Sequence, residues 1–385
     1  MFRKIGSLIV STLLLAGVLL ASVTPAIAAE PETAAAQAAV NYIISLQNAD
    51  GGFPAFGADS APGSTIDAVF AMTAVGPQPT TVTTEGNSPA DYLATQAAEY
   101  STDPGAAAKL AYGVAAMGLD PSDFGGMDLL AVLDDSFDAE TGVFGLDLFD
   151  QAFFIMALHQ TVGTIPGTAV EYVLSLQLED GGWEFGEGFG SDSNTTALVL
   201  QVLLVAGVER GDAAVMAALG YFHTVQDVSG AFGFLAGAEP DANSTAFVIQ
   251  ALIAAREDID AGGPWTPGGV TPLEALLTFQ NPETGAFQFA GEDSAFATYQ
   301  VVPGLVLAPF PGLKPLLLPG RETPVASPTM AVEPVETPEP AAQPADLPKV
   351  GTGASGEGSP WPAPLLLAAG GLAALGLGAG HRRYR

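Results

Sequence analysis

Five stretches of this chain spell the same pattern, and that pattern sets the period of whatever it folds into. They are 45–53 (SLQNADGGF), 136–144 (SFDAETGVF), 175–183 (SLQLEDGGW), 224–232 (TVQDVSGAF) and 278–287 (TFQNPETGAF). Self-similarity of this kind marks a stack of like supersecondary units, none of which buries its apolar face alone. The gap between the first two copies is about double the others, so a sixth, degenerate copy belongs near 93–105 (LATQAAEYSTDPG).

Two kinds of helix flank each copy. Upstream runs, such as 36–46 and 169–176, space their apolar residues along one face of a helix. The glycine of the turn that follows can take the left-handed conformation that closes a helix. The upstream helices are therefore expected to end at Gly51, Gly142, Gly181, Gly230 and Gly285. Downstream runs (64–75, 150–162, 197–206, 246–255 and 294–302) are apolar nearly all round, and Ser193 to Thr196 and Asn243 to Thr245 stand where caps belong. A helix that is apolar on every side must be covered on every side. Six hairpins meet that demand by closing into two concentric rings, with the apolar helices inside. The expected fold is all-α, an α6/α6 toroid over residues 34–309. An open solenoid would need polar-faced capping repeats, and the sequence offers no obvious ones.

Gln47…Asp50-Gly51-Gly52-Phe53 and Gln177…Asp180-Gly181-Gly182-Trp183 resemble the Gln–Trp repeats of squalene and terpenoid cyclases. The run 243–252 (NSTAFVIQAL) is similar to the helical domain of transcobalamin-like proteins. Both groups belong to the α6/α6 toroid superfamily, with the protein prenyltransferase β subunits and the thioester domains of complement-like proteins. The resemblance covers roughly 34–309 and implies the fold, while function must be read from the site.

Each activity this resemblance implies needs particular residues. The prenyltransferases hold zinc with an Asp, a Cys and a His, and the thioester proteins join a Cys to a Gln. This chain has no cysteine. Squalene–hopene cyclases protonate substrate from an Asp-x-Asp-Asp motif, which is missing here. Asp134-Asp135-Ser136-Phe137-Asp138 matches the Asp-Asp-x-x-Asp motif that grips pyrophosphate through magnesium. In the repeat register, however, Asp138 occupies the position of Gln47 and Gln177 and faces a turn. His159 and His223 have no third ligand at recognisable spacing, so no metal is expected.

What survives is binding at the mouth where the inner helices begin. Asp67, Asp150, Asn194, Asn243 and Asp293 stand at or near those starts. They either ring the mouth with hydrogen-bonding groups or only cap their own helices. The transcobalamin-like resemblance implies a corrinoid such as cobalamin as ligand, although that family closes over its ligand with a second, β-rich domain. Asp67 and Asp150 are also the carboxyls that burial would turn into a catalytic acid.

The ends bear on location. Residues 1–28 read as a signal peptide: Arg3 and Lys4, an apolar core from Leu8 to Leu20, and Ala26-Ile27-Ala28 as cleavage site. Residues 310–363 are dense in Pro, Ala, Glu and Thr and read as an extended stalk. Residues 364–385 are an apolar segment closed by a basic tail, which reads as a membrane anchor. Before it, Leu347-Pro348-Lys349-Val350-Gly351 resembles a sortase signal, with Val350 where that family has threonine. The net charge is −31, and Lys109, Arg210 and Arg256 are the only basic residues between Glu30 and Phe310. Such a surface repels nucleic acid and anionic lipid. The sequence thus favours a surface-anchored toroid, outside the cell, that binds a small apolar ligand or a protein partner. An enzyme with a non-standard site and a purely structural protein are the alternatives.

Overall fold

The computed structural model describes residues 31–310. The expectations for the signal peptide, the stalk beyond Phe310, the sortase-like pentapeptide and the anchor lie outside the described residues. No helix among the described residues is long and apolar enough to cross a membrane.

Among the described residues, twelve α-helices form six hairpins. In chain order, α1 (Pro31–Ser45) pairs with α2 (Pro62–Val75), and α3 (Pro89–Tyr100) with α4 (Pro104–Ala116). Then α5 (Leu129–Ser136) precedes α6 (Leu148–Thr161), and α7 (Gly167–Ser175) precedes α8 (Ser193–Val205). The last pairs are α9 (Ala213–Val225) with α10 (Ala242–Ala254) and α11 (Pro272–Leu277) with α12 (Ala295–Leu305). The even-numbered helices pack on one another in sequence, and α12 returns to pack on α2. The odd-numbered helices lie outside them, with α11 against α1. This is a closed α6/α6 ring, and the degenerate copy is the hairpin α3–α4. Burial follows the sequence pattern, because every residue from Ser193 to Leu203 of inner helix α8 is buried while outer helix α7 buries only Ala169 and Val173.

The repeated glutamine explains how the outer ring is stitched. Gln177 Nε2 donates to Gly181 O in its own turn (2.8 Å) and to Ala214 O in the next outer helix (2.8 Å). Gln47 and Gln226 bridge their own turns to Val82 O and Trp265 O in the same way. Gln280 Nε2 reaches Gly285 O (2.9 Å) and Ala35 O (2.8 Å), which joins the last hairpin to the first.

The outer helices do not end at the glycines, as expected from the turn sequence. They stop earlier, at Ser45, Ser136, Ser175, Val225 and Leu277. The glutamine must leave the helix to bond two carbonyls, and the glycine lies farther on, in the turn itself. There it has two duties. Gly181 has φ +89°, and a Cβ on it would sit 2.4 Å from Ala217 O of the neighbouring helix. Both the conformation and the close approach require glycine.

The third hairpin lacks this glutamine, and the chain compensates. In four hairpins a threonine near the inner-helix start accepts from the N–H of the turn aromatic: Thr65 from Phe53, Thr196 from Trp183, Thr245 from Phe232, and Thr298 from Phe287. In the third hairpin Gln151 stands there instead. Its Oε1 accepts from Phe144 N (2.7 Å), while its Nε2 donates to Gly142 O (3.0 Å) and Ala169 O (3.4 Å). One side chain performs both jobs, which frees Asp138 to remain a surface residue.

Candidate functional site

The inner helices all begin at one mouth of the ring, and aspartates cap most of them. Asp103, Asp147, Asp192 and Asp241 accept backbone N–H bonds at the starts of α4, α6, α8 and α10, and Ser294 does so for α12. This corrects the capping assigned to Ser193, Asn194 and Asn243. The cap lies one or two residues before them, because a carboxylate there reaches the exposed N–H groups. Thr196 and Thr245 are then left for the aromatic turns, and Asn194 and Asn243 for the mouth.

Asn194, Asn243 and Asp293 line a cavity of about 540 Å³ at that mouth. Its walls are largely apolar and include the aromatic side chains of Tyr42, Phe56, Phe234, Phe289 and Phe296. The loop of the first hairpin supplies Phe56, which is 64 % exposed and packs on Phe296 with ring centroids 5.4 Å apart. The sixth hairpin supplies Glu292 and Asp293 through a two-stranded turn, β1 (Gln288–Phe289) with β2 (Glu292–Asp293). Gln300 and Asn243 form the floor, with Asn243 Nδ2 donating to Gln300 Oε1 (2.8 Å). Asn243 is buried, and its Oδ1 has no hydrogen-bond partner. Asp293 accepts from Asn281, Thr284 and Gln288. Partial burial pushes its carboxyl up, but these bonds outweigh that and hold it below the usual range.

Beneath the cup, Gln300 also lines the bore of the ring, and there the space is filled. Asp67, Phe70, Phe149, Phe153, Phe247 and Phe310 leave a void of only about 10 Å³. Asp67 is paired with Lys109 (Nζ to Oδ1, 2.7 Å), the only ion pair among the described residues. Lys109 is fully buried, also donates to Gly63 O (3.2 Å), and lies 5.6 Å from the centre of the Phe153 ring. Burial pushes the Asp67 carboxyl up, while Lys109 and Gln300 pull it back. Phe310, which composition groups with the stalk, turns into the bore from the end of α12. Its N–H donates to Gln201 Oε1 (2.9 Å), its carbonyl accepts from the Tyr112 hydroxyl, and its ring packs on Phe70 and Phe247.

Asp150 lines neither space. Its Oδ2 accepts from Leu146 N (2.8 Å), and its Oδ1 lacks a partner and lies against Gly105, where a Cβ would meet it at 1.7 Å. Burial first, then the charge of Asp147, push its carboxyl up to about 7. Asp192 also rises to about 7 through burial, despite accepting from Thr195 N and Phe185 N. Of the five residues named from sequence, three therefore share the cup, Asp67 sits below it, and Asp150 belongs to a neighbouring turn.

The remaining motifs resolve into structure. Asp138 is exposed and accepts from Glu140 N (2.9 Å) and Thr141 N (3.2 Å) in a local turn. His223 stacks on Trp265 with centroids 3.9 Å apart, and burial lowers the pKa of His159. No group of three metal-binding side chains occurs among the described residues. Sequence reasoning missed Lys109, Gln300 and Phe310. The first two left a signal, since each is a lone polar residue inside a run of apolar ones.

No protein-family model matches the chain, and no curated protein does. Solved structures do. The type II terpene cyclase MstE from Scytonema, without ligand, matches with TM-score 0.52 at 15 % identity, covering 71 % of this chain and 97 % of the cyclase. A variant of that cyclase in complex with geranylgeranyl dihydroxybenzoate gives 0.51 at 13 % identity, covering 72 % and 97 %. A protein from Actinoplanes gives 0.50 at 13 % identity, covering 72 % and 99 %. The fold is an α/α toroid. At these identities the likeness carries the architecture and leaves the chemistry to the residues in place.

Proposed function

We propose that this chain is a ligand-binding toroid whose site is the cup at the mouth, not the bore beneath it. The observation that carries this reading is the open, aromatic-walled cavity of about 540 Å³ with a few convergent polar groups. That size and lining are typical of small-molecule pockets. The bore supports the same reading. An apolar substrate cannot enter while Phe310 and its aromatic neighbours fill the space, and one oxygen of the Asp67 carboxylate is already engaged by Lys109. With the export and anchoring expected from the sequence, the cup would be displayed outside the cell.

One observation favours a second reading. Asp67 is a buried carboxyl surrounded by aromatic rings, which is the environment that an acid-initiated cyclisation needs. The two readings separate by native mass spectrometry of the full chain after exposure to cell extract, then to squalene, geranylgeranyl diphosphate and cobalamin. Retention of a small molecule that is released unchanged, and that survives Phe310→Ala, is the expected result. Turnover that disappears in Asp67→Asn would move the protein among the enzymes. Retention of nothing would favour a structural role.

A further inference from the structure

We propose that the cup takes an organic cation, a protonated amine carried on an apolar body. This rests on the reading that the cup is the binding site.

The lining provides what such a group needs. Asp241, Glu292 and Asp293 are the ionisable acids around it, and no lining residue is basic. Tyr42, Phe56, Phe234 and Phe296 offer ring faces, which attract a cation through their quadrupoles and an apolar body through contact. At the floor, the Asn243 amide gives its N–H to Gln300 and keeps an unpartnered acceptor, Oδ1, while the residue itself is only 6 % exposed. An acceptor without a donor is matched by a ligand that brings the donor.

An anionic ligand is the natural rival, because α8, α10 and α12 all start at this mouth and helix starts favour negative charge. The chain has already met that preference. Asp192, Asp241 and Ser294 accept the N–H of the third residue of α8, α10 and α12, from Thr195, Ser244 and Ala297. An incoming anion would find those donors occupied and resident carboxylates beside it.

The bore contains a worked instance of the same chemistry inside this molecule. There a carboxylate and a phenylalanine ring, Asp67 and Phe153, surround a cation that the chain supplies itself, Lys109. The cup repeats the acids and the rings and has no resident cation.

The test uses three benzyl probes: benzylammonium, its neutral carbon isostere ethylbenzene, and phenylmethanesulfonate. Binding to the full chain is followed by calorimetry or by ligand-observed NMR. The ammonium probe should bind at least about tenfold more tightly than the neutral one, and the sulfonate more weakly than either. The preference should shrink with added salt and in Glu292→Gln, an exposed position whose variant keeps the wild-type melting temperature. Equal or tighter binding of the neutral or anionic probe overturns the cation inference and leaves the cup as an apolar site. Binding of none of the three, with the fold intact, overturns the cup reading as well.

Discussion

The cup and the bore are two chambers on one axis, share the side chain of Gln300, and are both walled by aromatic rings around carboxylates. They differ in what occupies them. The bore is closed by the chain's own groups, Lys109 on Asp67 Oδ1 and Phe310 among the rings, although Asp67 Oδ2 keeps no hydrogen-bond partner there. The cup is open, and its floor keeps an acceptor without a donor. A fold whose neighbours include cyclases thus places its space at the mouth and its packing at the centre. The difference teaches that the shape of a toroid does not say which part of the ring is used. Occupancy of each chamber by the chain itself does.

The sharpest way to break this comparison is to empty the bore of its cation. Lys109→Met leaves the Asp67 carboxylate buried and unpaired, and removal of one partner of a buried ion pair costs about 3–5 kcal/mol. Chemical denaturation should show a loss of that size, and the double variant Asp67→Leu/Lys109→Met should recover most of it. A loss in Lys109→Met below about 1 kcal/mol would mean that water already reaches the pair, and the bore would have to be redrawn as an accessible chamber.

A smaller effect should come from pH, since the acids around the inner-helix starts lack the compensation that Lys109 gives Asp67. Asp150 and Asp192 are both pushed up to about 7 by burial. An acid whose folded pKa lies above its unfolded value near 3.9 binds more protons in the folded state between those two values. Its contribution is therefore full below about pH 4 and is lost as pH rises through about 7. The ring should be more stable at pH 5 than at pH 8, by up to about 3 kcal/mol for each of the two acids. Asp192→Asn keeps the cap on α8 and should flatten the profile. A melting temperature that rises from pH 5 to pH 8 would show that these carboxyls are hydrated.

The two chambers were not equally legible in the sequence. Closure of the ring could be read because helices apolar all round, from 197–206 to 246–255, admit few other arrangements. The cup was legible in part: Asn194, Asn243 and Asp293 recur near inner-helix starts, and the ring brings such starts together. Its aromatic wall was not, because Phe56 and Phe289 sit in turns whose path the repeat does not dictate. The bore was hidden by a different cause. Asp67 and Lys109 lie in separate hairpins, and only the adjacency of α2 and α4 places them 2.7 Å apart. The paired charges were nevertheless visible as solitary ones, an Asp and a Lys each inside an apolar helix where an unpaired charge is not tolerated. Phe310 could not be separated from the proline-rich sequence that follows it by composition alone. The helix ends went wrong because glycine was given the role of stopping the outer helices. In the ring, the departure of Gln47 and its equivalents to bridge two carbonyls precedes it.

The smallest expected effect on stability falls at the cup, and it sharpens the contrast most directly. Phe56 is 64 % exposed, its ring touches Phe296 at the rim, and its loop runs outside the helical rings. Substitution at such a surface position changes stability by no more than about 0.5 kcal/mol. Phe56→Ser should therefore unfold at nearly the same denaturant concentration as the parent. Its effect belongs to binding: one ring face removed from a cation site costs about 0.5–2 kcal/mol, which is a roughly twofold to thirtyfold loss of affinity. Bore residues should show the reverse, with large stability losses and cup affinity unchanged wherever the ring still folds. Unchanged affinity for benzylammonium in Phe56→Ser would remove the rim from the site and confine recognition to the floor, at Asn243 and Gln300.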